Sequence, residues 1–282
     1  CLYKKCICIF KVGVNMEYEN NDERERYLVS RGRIIVNACP GSGKTTSVAY
    51  KLNNLVREWA HKHSGIACLS FTNVAKDEIN EKYYAFSGKA LSHPHLVSTL
   101  DSFINQYITL PHYQQVLGYT NRPVIIEDTT WLNSLRLYQF RFGTVPIQHT
   151  YNPAKIDITH DGHFTYDGKT PNLSPGDAAK FIRYCKEIKK IQFQNGLLKN
   201  SDSIYLAYKI ISEKPEIAKL LSLRFPYIII DEAQDTSEIQ QLILEKLLEY
   251  NLESIELIGD PYQSLYEWRD ARPDLFFAKI KS

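Results

Sequence analysis

Arg33-Ile34-Ile35-Val36-Asn37-Ala38-Cys39-Pro40-Gly41-Ser42-Gly43-Lys44-Thr45-Thr46 carries an apolar run into a glycine-rich turn that opens a helix. Strand, turn and helix in that order make a phosphate-binding loop. Gly41 and Gly43 let successive backbone N–H groups converge on an anion, and the following helix turns its positive dipole end toward the same point. Ala38 stands at the first loop position, where the generic pattern has glycine. A nucleoside triphosphate is the expected guest of Ala38, Pro40, Gly41, Ser42, Gly43, Lys44, Thr45 and Thr46. Lys44 reaches the β- and γ-phosphates, and the Thr45 hydroxyl joins a Mg²⁺ shell. The competing reading is an ordinary helix entered through a glycine turn.

Tyr227-Ile228-Ile229-Ile230-Asp231-Glu232-Ala233-Gln234-Asp235 supplies the complementary half. A continuous apolar run reads as a buried parallel strand, and ligands of open α/β sheets gather beyond the carboxyl ends of such strands. Asp231 is the expected Mg²⁺ ligand, while Glu232 orients or deprotonates the attacking water. The alternative is a helix start decorated with acids. Gln234 has a plainer role open to it, satisfying a local backbone group.

The remaining pattern places both segments in one α/β fold. Runs at 33–38, 65–70, 95–99, 226–230 and 254–258 alternate with helical patterns at 44–60, 74–86, 101–108, 175–191, 202–212 and 237–250. That alternation predicts a parallel central sheet. Between Leu110 and Ser174 it fails: prolines accumulate, and 155–159 and 164–166 flank Asp161-Gly162 as a β-hairpin. The long interval from Lys44 to Asp231 predicts an inserted, partly helical subdomain. In the helix from Pro175, with Ser174 as its cap, Ala178, Phe181, Ile182, Cys185 and Ile188 form an apolar face. Lys180, Arg183, Lys186, Lys189 and Lys190 crowd the rest, either a solvated face or a surface for phosphates.

Composition narrows the classes. At 282 residues and 44% hydrophobic, the chain can bury one large core or two smaller ones. A formal net charge of +2 neither demands nor excludes nucleic acid. Six cysteines without a zinc-like double pair fit a reducing cytoplasm, and no apolar stretch approaches the ~18 residues of a membrane helix. The single methionine is Met16, which suggests that residues 1–15 precede the natural start; the alternative is an edge strand over 7–14.

Three more segments complete a pattern. They are Leu69-Ser70-Phe71-Thr72-Asn73, Val97-Ser98-Thr99-Leu100-Asp101, and Gly259-Asp260-Pro261-Tyr262-Gln263-Ser264-Leu265-Tyr266-Glu267-Trp268-Arg269. With the loop and the acid pair, these five in this order resemble the amino-terminal motifs of the UvrD/PcrA/Rep branch of superfamily-one DNA helicases. The resemblance implies a RecA-like P-loop NTPase domain: 16–109 and 201–282 form its core, 110–200 the insertion, and a second RecA-like domain lies outside these residues. It further implies a cytoplasmic, ATP- and Mg²⁺-dependent translocase moving 3'-5' on single-stranded DNA or a strand–duplex junction. Gln263 then senses the γ-phosphate and Arg269 links nucleotide to strand. Phe71, Thr72, Asn73, Thr99, Tyr266 and Trp268 meet the strand, whose bases offer π-faces to a sequence-blind motor.

Plainer roles stand beside these: Thr72, Asn73 and Thr99 as helix caps, Phe71, Tyr266 and Trp268 as core aromatics. Two departures from the family pattern are visible. Its adenine-reading glutamine has no counterpart between Asn20 and Arg31, and Asp101 stands where it usually places His. The last motif, with Ala271, Pro273 and Phe276 behind it, is also similar to the helicase-like subunit of Gabija defence systems. That likeness implies a nucleotide-dependent switch with a partner protein, a nuclease or defence subunit. A GTPase has no support, since no Asn-Lys-x-Asp signature occurs.

Overall fold

The computed structural model describes residues 5–9, 22–38, 41–250 and 252–260. Contacts divide the chain into two compact units, one of 1–103 with 214–282 and one of 104–213.

The first unit is built on a parallel sheet. Its strands are β1 (Lys5–Ile9), β2 (Arg33–Ala38), β3 (Ile66–Ser70), β4 (Leu96–Thr99), β5 (Tyr227–Ile230) and β6 (Ser254–Gly259). Their order is β1-β2-β6-β5-β3-β4, and every pairing is parallel. The loop strand β2 and the acid strand β5 therefore flank β6. The expected parallel α/β sheet is present, and β1 adds a strand within the residues read as preceding Met16.

Helices α1 (Asp22–Val29), α2 (Lys44–Glu58) and α3 (Asn73–Ser87) belong to this unit, as do α6 (Pro215–Arg224) and α7 (Glu238–Glu249). Ile34, Val36, Ile66, Cys68, Ile229 and Ile258 come from alternate strand positions and bury against Val48 and Leu52 of α2 and Ile79 of α3. Period-two strands thus present one apolar face to the period-3.6 faces of the helices. Inside this core lies a charge pair: Lys51 Nζ is 2.6 Å from Glu256 Oε1, and neither residue is exposed. Lys51 also donates to the Tyr27 and Ser30 carbonyls at the end of α1, at 2.7 and 2.9 Å. The Tyr227 hydroxyl donates to Glu256. Several hydrogen bonds thus share the cost of burying two ions.

The second unit contains α4 (Pro175–Gln194), α5 (Asn200–Glu213) and the hairpin 156–158/164–166. Phe181, Cys185 and Ile188 are buried as expected, joined by Tyr184, whereas Ile182 is exposed. Lys189 is a correction to the basic face. It is buried, with Nζ 2.6 Å from Asp202 Oδ1, and Gln192 Nε2 meets the other Asp202 oxygen at 2.6 Å. On the surface Lys180 and Lys190 pair with Asp177 and Glu187. The expected helix 101–108 is instead a short helix at Leu100–Ile104, a π turn at Asn105–Thr109 and a helix at Leu110–Leu117. The wider turn comes just before Pro111, which has no N–H for a regular helical bond.

Candidate nucleotide-binding site

Every described site residue sits at or just beyond the carboxyl end of a sheet strand. Gly41 and Gly43 have φ of +67° and +73°, and Gly43 caps α2. A side chain there would have to accept left-handed backbone, and at Gly43 its Cβ would lie 3.3 Å from Arg24 Nη2. Arg24, buried in α1, donates from Nη2 to the Ser42 carbonyl at 2.8 Å. The loop is therefore held from outside by a side chain that the sequence reading missed. In a run of alternating acids and bases, Arg24 reads as one more charge on a solvated helix. Pro40 lies outside the described residues.

Two contacts bring the loop and the acid pair together. Lys44 Nζ is 3.2 Å from Glu232 Oε2, and the Thr45 hydroxyl donates to Asp231 Oδ2 at 3.3 Å. Lys44 is 9% exposed and Asp231 1%. The Asp231 backbone N–H donates to the Leu69 carbonyl of β3 at 2.8 Å, extending the sheet one step past β5. Asp231 Oδ1 accepts the Glu232 N–H at 3.1 Å, with Glu232 in left-handed conformation at φ +55°. That backbone is uncommon for a side-chain-bearing residue and marks this turn as held by its surroundings. Burial, and then the charge on Glu232, push the Asp231 carboxyl up to about 6, against Lys44, the Glu232 N–H and the Thr45 hydroxyl.

The oxygen pair of Thr45 and Asp231 suits a hard cation, and Mg²⁺ takes one or two carboxylates with substrate phosphates and retained waters supplying the rest. Among the described residues no group of three or more His, Cys, Asp or Glu forms a fuller metal cage. Ser42 Oγ is buried without a hydrogen-bond partner among the described residues, a polar atom facing no protein group in a loop whose geometry suits phosphate. Thr46 is half-buried in the first turn of α2.

Gln234, read from the sequence as able to satisfy a local backbone group, reaches a distant one and the acid as well. It is 2% exposed; Nε2 donates to Glu232 Oε2 at 2.7 Å and Oε1 accepts the Asp260 N–H at 3.1 Å. Its place between two acids was visible, but its reach to the end of β6 was not. Nearby, α7 begins with a capping box in which Ser237 and Gln240 bond reciprocally, and Gln240 Nε2 also donates to Asp101 Oδ1 at 2.5 Å. Asp101 thus ties the end of β4 to α7.

The strand-facing candidates divide. Thr72 caps α3, accepting the Ala75 N–H at 3.1 Å. Thr99 is buried and bonded to Ser102, with the Ser102 N–H donated to its hydroxyl at 3.2 Å. Phe71 is half-buried, and exposed Asn73 accepts from Lys76. Gln263, Tyr266, Trp268 and Arg269 lie outside the described residues. No described helix is long and apolar enough to cross a membrane.

Comparison with known proteins matches the UvrD/REP helicase N-terminal domain over residues 19–282. The chain is 26% identical over 258 residues to a probable DNA helicase II homolog of Mycoplasma capricolum subsp. capricolum, covering 86% of this chain and 34% of that protein. It is 26% identical over 247 residues to the ATP-dependent DNA helicase Rep of Escherichia coli (strain K12), covering 86% and 36%. Against the ATP-dependent DNA helicase PcrA of Bacillus subtilis (strain 168) it is 25% identical over 265 residues, covering 89% and 34%. It therefore spans about a third of the length of these relatives. A parallel sheet with its phosphate loop and acid pair at one margin is what that match leads one to expect, and the chain belongs to the UvrD/REP helicase family, through its N-terminal domain.

Proposed function

We propose that these residues form the ATP-binding part of a DNA helicase or translocase that couples ATP hydrolysis to 3'-5' movement along single-stranded DNA. The carrying observation is the approach of Lys44 and Thr45 to Glu232 and Asp231, two segments remote in sequence that close to 3.2 and 3.3 Å. Names of the relatives, ATP-dependent DNA helicases Rep and PcrA, support the same reading.

Lys44 donates to the β- and γ-phosphate oxygens, while Gly41 to Gly43 turn backbone N–H groups to the same anion. Thr45 and Asp231 hold Mg²⁺, which when bound neutralises charge building between the β- and γ-phosphates. Glu232 orients or deprotonates the attacking water. Its Oε2 is engaged by Lys44 and Gln234, so Oε1 is the oxygen we assign to that task. Gln263 senses the γ-phosphate and Arg269 links this site to the strand. Phe71, Thr72, Asn73, Thr99, Tyr266 and Trp268 provide the strand-facing surface. In the whole protein a second RecA-like domain supplies arginines to the transferring phosphoryl group, a contribution of ~10³ to 10⁵ in rate. The inserted subdomain is 110–200, which falls inside the unit of 104–213, and the setting is cytoplasmic.

The test uses the full-length protein. Lys44→Ala weakens triphosphate binding, and Glu232→Gln binds triphosphate but turns over at least ~10²-fold more slowly. Wild-type ATPase rates in both variants refute the assignment.

A further inference from the structure

We propose that Gln234 is a positioning residue that joins the Glu232 carboxylate to the backbone N–H of Asp260, so that the acid and the chain leaving β6 shift together. The inference rests on the reading of Glu232 as the group that activates water.

Gln234 bonds directly to both groups. Its amide is amphoteric, and both ends are used: Nε2 donates to Glu232 Oε2 at 2.7 Å, and Oε1 accepts from Asp260 N at 3.1 Å. No carboxylate or ammonium of the same length does both at neutral pH. The approach is close enough to dictate its neighbour. A Cβ on Gly259 would collide with Gln234 Oε1 and would lie 3.2 Å from Gln234 N, so β6 lays bare backbone on the glutamine. The left-handed backbone of Glu232, at φ +55°, is a second sign that this turn is shaped from outside. At 2% exposure the amide itself is shielded from solvent, so losing a partner leaves a buried polar atom unsatisfied. Lys44 also donates to Glu232 Oε2, so lysine and glutamine together fix one carboxylate oxygen and leave the other for water. Asp260 leads directly into Gln263, Tyr266, Trp268 and Arg269 in sequence. A displacement of the acid is thereby felt at the root of that segment.

Two variants of the full-length protein separate positioning from general stability. Gln234→Met keeps the volume and loses both bonds. Gln234→Glu keeps an acceptor for Asp260 N–H but loses the donor to Glu232. Nucleotide affinity is read with a fluorescent Mg²⁺-triphosphate analogue, turnover by phosphate release, and the Asp260 amide by hydrogen exchange. Both variants should lower kcat by roughly tenfold or more with nucleotide Kd within about threefold of wild type. Exchange at Asp260 should rise by about tenfold in Gln234→Met and stay near wild type in Gln234→Glu. Turnover within about threefold of wild type in both, or an Asp260 amide indifferent to Gln234→Met, overturns the inference while leaving the nucleotide site standing. Equal losses in Kd and kcat also overturn it, as general damage to the site. A wild-type protein that binds no triphosphate removes the reading of the site and this inference with it.

Discussion

Asp231 and Thr72 show how much a single side chain's surroundings decide. Asp231 is buried beside Glu232, and its carboxyl is pushed up to about 6. A protonated carboxyl cannot hold a cation, so with Asp231 in the proposed Mg²⁺ shell nucleotide affinity should be full about one pH unit or more above 6 and halved near 6. Well below 6 it should approach roughly a tenfold fall per pH unit, the limit for one competing proton. Titration calorimetry between pH 5 and 8 measures the slope; a flat profile removes Asp231 from the metal shell. Thr72 accepts from Ala75 N–H, which leaves its own hydroxyl proton to give, whereas Thr99 shares its hydroxyl with Ser102. Capping and phosphate contact are therefore compatible at Thr72. Thr72→Val should cost about 1 kcal/mol in thermal unfolding through the lost cap, and Thr72→Ser should restore it. If Thr72 also meets a phosphate, Thr72→Val alone should weaken strand binding.

At the scale of elements, the buried pair of Lys51 and Glu256 bolts α2 to β6. Lys51→Met should destabilise by about 3 to 5 kcal/mol because it strands a buried carboxylate. The double variant Lys51→Met with Glu256→Gln should recover much of that loss, since a neutral amide leaves no uncompensated charge. Chemical denaturation of the two variants decides it, and equal losses would refute the explanation. Elements of this kind were unevenly legible in the sequence. The strands 66–70, 96–99, 227–230 and 254–259 lie within a residue of their expected bounds, because each is a short, β-prone run bounded by polar or turn residues, and 227–230 is wholly apolar. The phosphate loop and acid pair were legible for the same reason, each being a strand end with its own punctuation. Lys189 was not legible, since nothing local says that Asp202 waits to receive it. The π turn at 105–109 was hidden too: a one-residue widening leaves the apolar spacing almost unchanged. Helix α6 carried its signals, Pro215 at its start and Ile217, Ala218 and Leu221 at helical spacing, in the interval between the expected helix 202–212 and the expected strand 226–230, where no helix was predicted.

Across the whole molecule, topology accounts for the rest of the site. Placing β6 between β2 and β5 brings loop, acid pair and Gly259-Asp260 to one margin of the sheet, although α3, α4, α5 and α6 lie between loop and acid pair in sequence. No local pattern reveals that Gln234 spans from one strand end to the next, because the pairing that brings them together is non-local. In the full-length protein single-stranded DNA should stimulate ATP hydrolysis. Trp268→Ala should cut the stimulation by the ~1 to 3 kcal/mol of a lost base stack, measured as the strand concentration giving half-maximal rate. Indifference to DNA would argue for a nucleotide switch.

The way α1 is fastened has a thermodynamic consequence. Its last carbonyls rest on Lys51 and its Arg24 grips the Ser42 carbonyl, so the stretch from Gly41 to Lys44 is shaped when the domain folds. An arriving anion then finds a preorganised cradle, and the entropy of ordering it has been met in advance. Loosening that grip with Arg24→Ala would shift the ordering to the moment of capture, and calorimetry would register it as a larger entropic penalty for the same ligand.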